Sequence, residues 1–202
     1  IPVEFPEELY QGEYVKEQAA VLAEEWRENH GKIFSKADLE NTELRAAISD
    51  RAAELMLEQI RRTIKADLKI NFDVWTSEKA LRASGVIEKT LEKLRQQGLT
   101  YTKNGAEYIK TTQFGDEQDR VLKKSDGEYA YIAPDIAYHQ NKYERGFDLI
   151  FTFVGADHQG HLPKLKAAMQ ALGNDMNKLH LVAAQWFRLV RDRVPIRVSK
   201  RA

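Results

Sequence analysis

The stretch FVGADHQGH, residues 153–161, places Asp157, His158 and His161 in one short turn behind an apolar run. Three kinds of chemistry suit these side chains: metal binding, acid–base catalysis, or a turn that holds a nucleotide. The spacing also fits a strand end whose polar side chains are satisfied by water. The residues of the turn alone do not decide among these alternatives.

The other side chains of the chain limit the choice. A metal site would need further ligands, and the remaining histidines are His30, His139 and His180. The sequence has no cysteine, which excludes disulfides and thiolate zinc sites. A hydrolytic dyad has no obvious nucleophile in this turn. A nucleotide turn needs a glycine for close backbone approach, here Gly155, and a helix N-terminus after it.

The composition is that of a soluble globular chain. Lys plus Arg and Asp plus Glu both total 31, so the net charge is zero and a histone-like polycation is excluded. No apolar run approaches the roughly 20 residues of a membrane helix, and no signal peptide is visible. We therefore expect a cytoplasmic protein. The chain starts without Met and ends in VSKRA, so we expect a piece of a longer protein.

The first half of the chain reads as mostly helical. Apolar residues recur at helical spacing over residues 14–29 and 42–66. Alternation in LKINFDVW predicts a strand at residues 68–74, and TSEKAL predicts a capped helix that continues to about Gln97. The dipeptides Asn104-Gly105 and Asp126-Gly127 each predict a tight hairpin between short strands.

The second half predicts a different architecture. A helix should follow Pro134 and end at Gly146. The apolar run FDLIFTFVG is typical of a parallel strand buried on both faces, and HLPKLKAAMQALG and KLHLVAA predict the helix and strand that follow it. Strand, helix and strand in this order form half of a doubly wound α/β sheet. Ligands bind such sheets at the carboxyl ends of the strands, where GADHQGH lies.

Several ordered blocks resemble one known family. They are YQGEYVKEQA, FDVWTSEKAL, FGDEQDRVLKKSDGEYAY, YIAPDIAYHQNKYERGFDLIFTFVGADHQGHLPKLKAA and the final RVSKRA. Together they are similar to the catalytic domain of arginyl-tRNA synthetase, a class I aminoacyl-tRNA synthetase, with RVSKR in the place of its KMSKS loop. No single block is specific, but their order along the chain is.

The resemblance implies an arginine pocket. Tyr131 and Asp135 would line it, with Asp135 pairing the guanidinium of the substrate, and Tyr138 and His139 would support it from the helix. A carboxylate suits this role because it matches the planar guanidinium fork better than the point charge of lysine. His158 would lie near the amino acid. The alternative for Asp135 is a simple role at the start of a helix, where a carboxylate is already favoured.

The resemblance also implies the ATP site. Gly155 and Asp157 would lie beside the ribose, and Val198, Ser199 and Lys200 would form the loop at the phosphates. Lys200 would stabilise the pyrophosphate leaving group as the catalytic residue. The substrates would be ATP with Mg²⁺, L-arginine and tRNA(Arg), with no tightly bound metal and no membrane partner. The parent protein is expected to be a monomer.

The implied fold class is α/β, the second half of a Rossmann-like nucleotide-binding fold with a helical and β-hairpin insertion. Residues 1–20 would open the catalytic domain, residues 21–128 would form the connective region, and residues 129–202 the Rossmann half. The sequence contains no His-x-Gly-His, which in the family holds the ATP triphosphate. We therefore expect the isolated chain not to exchange pyrophosphate into ATP, even with tRNA supplied.

Departures from the family pattern keep other readings open. Arg197 and Arg201 replace residues of the KMSKS pattern, and Gln159 and His161 stand where the family often has His and an aromatic residue, so His161 has no assigned role. The alternative function is a catalytically silent synthetase-like module that binds arginine or a protein partner. A third reading, a metal-dependent hydrolase built on the opening triplet, predicts a stoichiometric bound metal.

Overall fold

The computed structural model describes residues 12–32, 34–185, 187 and 189–196. The described chain divides into two units. The first takes in the residues up to Asp73 together with those from Leu189 onward, and the second runs from Val74 to Phe187. None of the described helices is long and apolar enough to cross a membrane.

The first unit contains three helices and a hairpin. The helices are α1 (Glu13–His30), α2 (Lys36–Glu40) and α3 (Thr42–Ala66), and the first and last confirm the predicted helical stripes. Gly31 ends α1 in the left-handed conformation at φ 66°, as expected of a C-cap glycine. The hairpin pairs β6 (Leu189–Arg191) with β7 (Val194–Ile196), and its turn places Asp192 and Arg193 at positive φ.

An ion pair connects α1 to α3 in the first unit, and aromatic rings stack at the end of α1. Arg51 of α3 donates two hydrogen bonds to Glu25 of α1, at 2.7 and 3.0 Å. Trp26 stacks on His30 and on Phe34, with ring centroids 3.6 and 4.5 Å apart. No described residue of α1 or α3 is fully buried. Helices α1 and α3 are therefore at least partly exposed along their length and connected by the ion pair between Arg51 and Glu25.

After α3 the structure differs from the predicted strand and single helix. Residues 68–74 form no strand, and Leu68, Phe72 and Val74 are exposed, so the alternation there was misleading. Helix α4 (Glu78–Ala83) stops before Gly85, which adopts φ 76°, and α5 (Val86–Gln96) starts after it. A left-handed glycine cannot continue a right-handed helix, so the predicted helix is split.

An antiparallel sheet follows, made of β1 (Thr100–Lys103), β2 (Ala106–Ile109) and β3 (Arg120–Lys123). The Asn104-Gly105 hairpin is confirmed, with φ of 53° and 76° at the two turn residues. A 3₁₀ helix (Thr111–Phe114) separates β2 from β3. At Asp126-Gly127 the chain also turns back, but only one bridge forms, between Lys123 and Tyr129.

Helix α6 (Ile132–Glu144) and a parallel strand pair complete the unit. Strand β4 (Ile150–Gly155) pairs in parallel with β5 (Leu179–Ala184), joined by a 3₁₀ helix (Ala156–His161) and α7 (Leu162–Ala171). The predicted strand–helix–strand is therefore confirmed. The prediction that β4 is buried on both faces is wrong for this chain, because Phe151 and Phe153 are 51% and 69% exposed.

One hydrophobic core joins α5, α6 and α7 to the antiparallel sheet. Its fully buried large side chains come from all of these elements: Ile87, Leu91, Leu94, Ile109, Leu122, Ile136 and Met169. The buried face of α6 is fixed by this core, so the opposite side of its first turns is held at the surface in one orientation. That surface carries the candidate site.

Candidate functional site

Asp135 lies in the first turn of α6 with its side chain half exposed. A carboxylate is favoured there because the unpaired N–H groups and the helix dipole give this end partial positive charge. The neighbouring Pro134 does not destabilise the helix, because an N–H group in the first turn has no partner within the helix. The fold thus presents an acidic group from a rigid helix.

A small open cleft lies against Asp135. Its volume is about 230 Å³, below the roughly 300–1,000 Å³ of pockets that hold drug-sized ligands, so it suits a single amino-acid side chain. Asp135 and Tyr138 border it from α6, and a second carboxylate, Glu78, borders it from the start of α4. The full lining is Thr76, Glu78, Leu81, Pro134, Asp135 and Tyr138. Two carboxylates beside an aromatic ring make a place for a cation.

Glu78 is already neutralised within its own helix. Its Oε1 atom accepts hydrogen bonds from Nε and Nη2 of Arg82, at 3.0 and 2.7 Å. Asp135 makes no such pair with an arginine or lysine among the described residues. Asp135 is therefore the carboxylate of this cleft better placed to receive an external cation.

Buried His139 holds the backbone at Asp135. Its Nδ1 lies 2.8 Å from the Asp135 carbonyl, which can only accept, so Nδ1 carries the hydrogen. The Nε2 atom then accepts from the Thr152 hydroxyl of β4 at 2.9 Å, and Lys142 donates to the same hydroxyl oxygen at 3.2 Å. Burial, and next the charge of Lys142, lower the pKa of His139 to about 4, so the ring is neutral at neutral pH.

His139 thus supports the predicted pocket from behind. It is 5% exposed and does not line the cleft. Lys142 is also partly desolvated, and burial followed by the charge of Arg145 lowers its pKa. Its ammonium lies 4.7 Å from the centroid of the Tyr138 ring, which fixes that ring at the cleft wall.

The turn after β4 is tied to the same helix. His161, at the end of the 3₁₀ helix, places Nε2 2.9 Å from Oδ2 of Asp135. The two residues are 26 positions apart in sequence. The sequence analysis had assigned no role to His161, and the structure brings it to the predicted guanidinium carboxylate.

Gly155, Asp157 and His158 lie together at the carboxyl end of β4. A Cβ added to Gly155 would lie 2.5 Å from Oδ1 of Asp157, so glycine is needed for the Asp157 carboxylate to fold back over the strand end. His158 Nε2 lies 3.4 Å from the other carboxylate oxygen, and both side chains are open to solvent. The three are thus presented as a polar group at a strand end, where α/β sheets bind ligands.

The opening triplet does not form one cluster. His161 contacts Asp135, whereas His158 faces Asp157. Among the residues that the structure describes, no group of three or more His, Asp or Glu side chains is arranged to hold a metal ion. This geometry disfavours the metal-dependent hydrolase reading.

The roles of the remaining predicted site residues stay predictions. Tyr131 precedes α6 by one position and is 90% exposed, outside the cleft lining, so its role in arginine binding stays a prediction. Val198, Ser199 and Lys200 lie outside the described residues. Their assignment to the ATP loop also stays a prediction.

Sequence reasoning missed three residues of the site. Neither Thr76 nor Glu78 is predicted as a site residue from the sequence, yet both border the cleft. Thr152, which joins His139 to Lys142, had no assigned role. The available signal was weak: Thr76 and Glu78 lie in the FDVWTSEKAL block of the resemblance, and Thr152 is the one polar residue within the apolar run of β4.

Comparison with known proteins identifies the family. The model of the family described as class I (R) tRNA synthetases, catalytic domain, matches residues 10–200. The chain belongs to this family. The resemblance seen in the sequence blocks is therefore confirmed over nearly the whole chain.

Relatives and a solved structure agree with this assignment. The arginine–tRNA ligase of Desulfosudis oleivorans is 40% identical over 99% of this chain, and that of Anoxybacillus flavithermus is 41% identical over 100%. A crystal structure assigned as an arginyl-tRNA synthetase of Campylobacter jejuni matches with a TM-score of 0.82 at 35% identity, covering 98% of this chain and 41% of that chain. The chain spans 35% of the length of the two curated relatives.

Proposed function

We propose that this chain forms the arginine-recognising part of an arginine–tRNA ligase, with Asp135 as the carboxylate that receives the substrate guanidinium. The observation that carries this proposal is the cleft itself. It is small, it is bordered by Asp135 and the Tyr138 ring, and it opens on a helix whose other face is locked in the core. Family membership makes arginine the expected amino acid.

Selectivity for arginine over lysine follows from the chemistry of Asp135. A guanidinium donates two parallel N–H groups to the two oxygens of a carboxylate, whereas an ammonium makes one point contact. The hydrogen bond from His139 to the Asp135 carbonyl fixes the backbone from which this carboxylate projects. A carboxylate held in one orientation binds a guanidinium, whose two donors match its geometry, more tightly than an ammonium.

We also propose that β4, α7 and β5 belong to the second half of a Rossmann-like sheet, within a catalytic part at residues 129–202 that follows a connective region at residues 21–128. Gly155 and Asp157 would then lie beside the ATP ribose, and His158 near the amino acid. In support, all three lie where a parallel strand gives way to a helix, the usual ligand position of such sheets.

In the proposed reaction, a carboxylate oxygen of arginine forms a bond to the α-phosphorus of ATP as the bond to pyrophosphate breaks. The product, arginyl-adenylate, then passes its arginyl group to a ribose hydroxyl of tRNA(Arg) and releases AMP. Lys200 would stabilise negative charge on the departing pyrophosphate. Mg²⁺ would enter with ATP and offset its charge.

Isothermal titration of L-arginine and of L-lysine into this chain tests the proposal. The unchanged chain should bind arginine in preference to lysine. Asp135→Asn keeps the shape of the side chain but removes its charge, so arginine affinity should fall by at least tenfold, as expected for a lost charge-assisted hydrogen bond. Glu117→Gln, an exposed carboxylate outside the cleft lining, is the matched control and should bind as the unchanged chain does.

Equal binding of arginine and lysine, unaffected by Asp135→Asn, would refute the assignment of Asp135. Preference for arginine that survives Asp135→Asn would move the specificity to another group of the cleft, with Glu78 as the next carboxylate to replace.

A further inference from the structure

The contact between His161 and Asp135 is the feature that the assigned roles leave unexplained. Nε2 of His161 lies 2.9 Å from Oδ2 of Asp135, and the His161 side chain is 31% exposed against 49% for Asp135. Two elements distant in sequence meet here, the first turn of α6 and the end of the 3₁₀ helix after β4. The contact therefore connects the arginine cleft to the turn proposed to hold ATP.

The direction of this hydrogen bond follows from its chemistry. An ionised carboxylate can only accept, so Nε2 of His161 carries the hydrogen and donates it to Oδ2. This holds for the neutral ring with hydrogen on Nε2 and for the protonated ring alike. Asp135 therefore has one oxygen fixed from the side of the 3₁₀ helix.

The remaining capacity of Asp135 still accommodates a guanidinium. Each carboxylate oxygen has two lone pairs, so Oδ2 can accept from His161 and from one N–H of a ligand, while Oδ1 accepts from a second N–H. With Oδ2 held by His161, rotation of the carboxylate about its Cβ–Cγ bond is restricted. A restricted carboxylate plane favours a ligand whose two donors lie in one plane at fixed spacing, because less entropy is lost on binding.

We propose that His161 is a positioning residue that orients the Asp135 carboxylate and so sharpens the preference of the cleft for a guanidinium over an ammonium. This inference rests on the proposed function. His161 does not need to touch the amino acid, since it is not part of the cleft lining.

Other titratable groups around this contact do not offer the same restraint. His139 donates to the backbone carbonyl of Asp135, not to its carboxylate. Lys142 donates to Thr152, and Arg82 pairs with Glu78 across the cleft. Among the described residues, His161 is the side chain hydrogen-bonded to the Asp135 carboxylate.

The test compares two replacements of His161 that differ in one property. His161→Phe retains a planar ring but has no donor. His161→Gln keeps an amide N–H that can reach the same oxygen and has no titratable group. Arginine and lysine are titrated calorimetrically into both variants and the unchanged chain. His180→Phe is the matched control, because His180 is an exposed histidine of β5 whose ring stacks on Phe151 at 4.7 Å and has no described hydrogen bond to Asp135.

The expected result is a specific loss in one variant. His161→Phe should bind arginine about tenfold more weakly, the effect of one lost hydrogen bond to a charged group, while lysine affinity changes less. The ratio of arginine to lysine affinity should therefore fall. His161→Gln should restore most of that ratio, and His180→Phe should leave it unchanged. A purely structural role would weaken both ligands alike and would not be rescued by Gln.

Equal loss of arginine and lysine binding in both His161 variants, or an unchanged ratio in His161→Phe, overturns the positioning role. Thermal unfolding followed by circular dichroism shows whether each variant is folded, and the Gln variant serves as the test if the Phe variant is not. Failure of the unchanged chain to prefer arginine refutes the proposed function, and this inference then falls with it. Preference in the unchanged chain with no effect at His161 refutes the inference alone.

Discussion

Acidification should destabilise this chain through one buried histidine. His139 is 5% exposed, and its pKa lies at about 4 in the folded chain against an ordinary value of 6.5. Between these two values the unfolded chain binds a proton that the native chain does not. The free energy of unfolding therefore increases with pH across this window. The stability that neutral His139 contributes decreases as pH falls from 6.5 toward 4.

The size of the effect follows from the two pKa values. Each pH unit between them corresponds to about 1.4 kcal/mol, so complete protonation of His139 would remove about 3 kcal/mol of stability. Most of this loss appears early: moving from pH 7 to pH 5 should cost about 2 kcal/mol. For a chain of this length, a loss of about 2 kcal/mol lowers Tm by about 4–8 °C. It is also a large fraction of the typical free energy of unfolding of a domain, about 5–15 kcal/mol.

Urea unfolding at pH 7, 6 and 5 measures this loss directly. His139→Gln replaces the ring with a neutral amide that does not titrate, so its stability should be lower at pH 7 but nearly constant down to pH 5. His180→Gln, which removes an exposed histidine, should keep the pH dependence of the unchanged chain. A slope that persists in His139→Gln, or its absence in the unchanged chain, would show that burial of His139 does not control acid stability.

Two further predictions concern charges in the second unit. Lys142→Met should raise the pKa of His139, because the charge of Lys142 is the second cause that lowers this pKa. The free energy of unfolding lost between pH 7 and pH 5 should then be smaller than in the unchanged chain. The same urea titrations measure this loss, and an unchanged loss would contradict the prediction. Arg120→Met should destabilise the chain by about 3–5 kcal/mol in urea unfolding at pH 7, because it leaves the Asp116 carboxylate, 2% exposed, without the arginine that donates to both of its oxygens. Lys124→Met is the control for that variant, since Lys124 pairs with exposed Asp126 and should leave stability unchanged; comparable loss in both variants would argue against burial as the cause.

Local signals predicted the elements that local chemistry determines. Asn104-Gly105 fixed a hairpin because the turn requires positive φ at both positions, which Asn and Gly tolerate best. The hairpin at Asp192-Arg193 adopts the same backbone conformations with residues that rarely take them, so no sequence signal announced it. The strand–helix–strand of β4, α7 and β5 was predictable from the change of apolar period alone.

Tertiary context overrode the local pattern elsewhere. Alternation at residues 68–74 matched a strand, but no described strand pairs with that segment, and an unpaired strand is not stable by itself. The apolar run of β4 suggested burial on both faces, yet the parallel sheet has two strands among the described residues, and Phe151 and Phe153 are exposed. A sequence period reports which faces are apolar, and the number of neighbouring strands determines whether both are covered.

The candidate site shows the same limit at the level of single side chains. Asp157, His158 and His161 are neighbours in sequence, and their spacing alone did not decide among metal binding, acid–base chemistry, nucleotide binding and a solvated strand end. The structure gives the two histidines different partners, because α6 places Asp135 beside His161 while His158 stays beside Asp157. That position is set by a hydrophobic core whose side chains include Leu91 of α5 and Ile109 of β2, both far from the turn in sequence. The role of a polar residue in this chain therefore depends on apolar packing that its own neighbours do not encode, and His161 is where the difference can be measured.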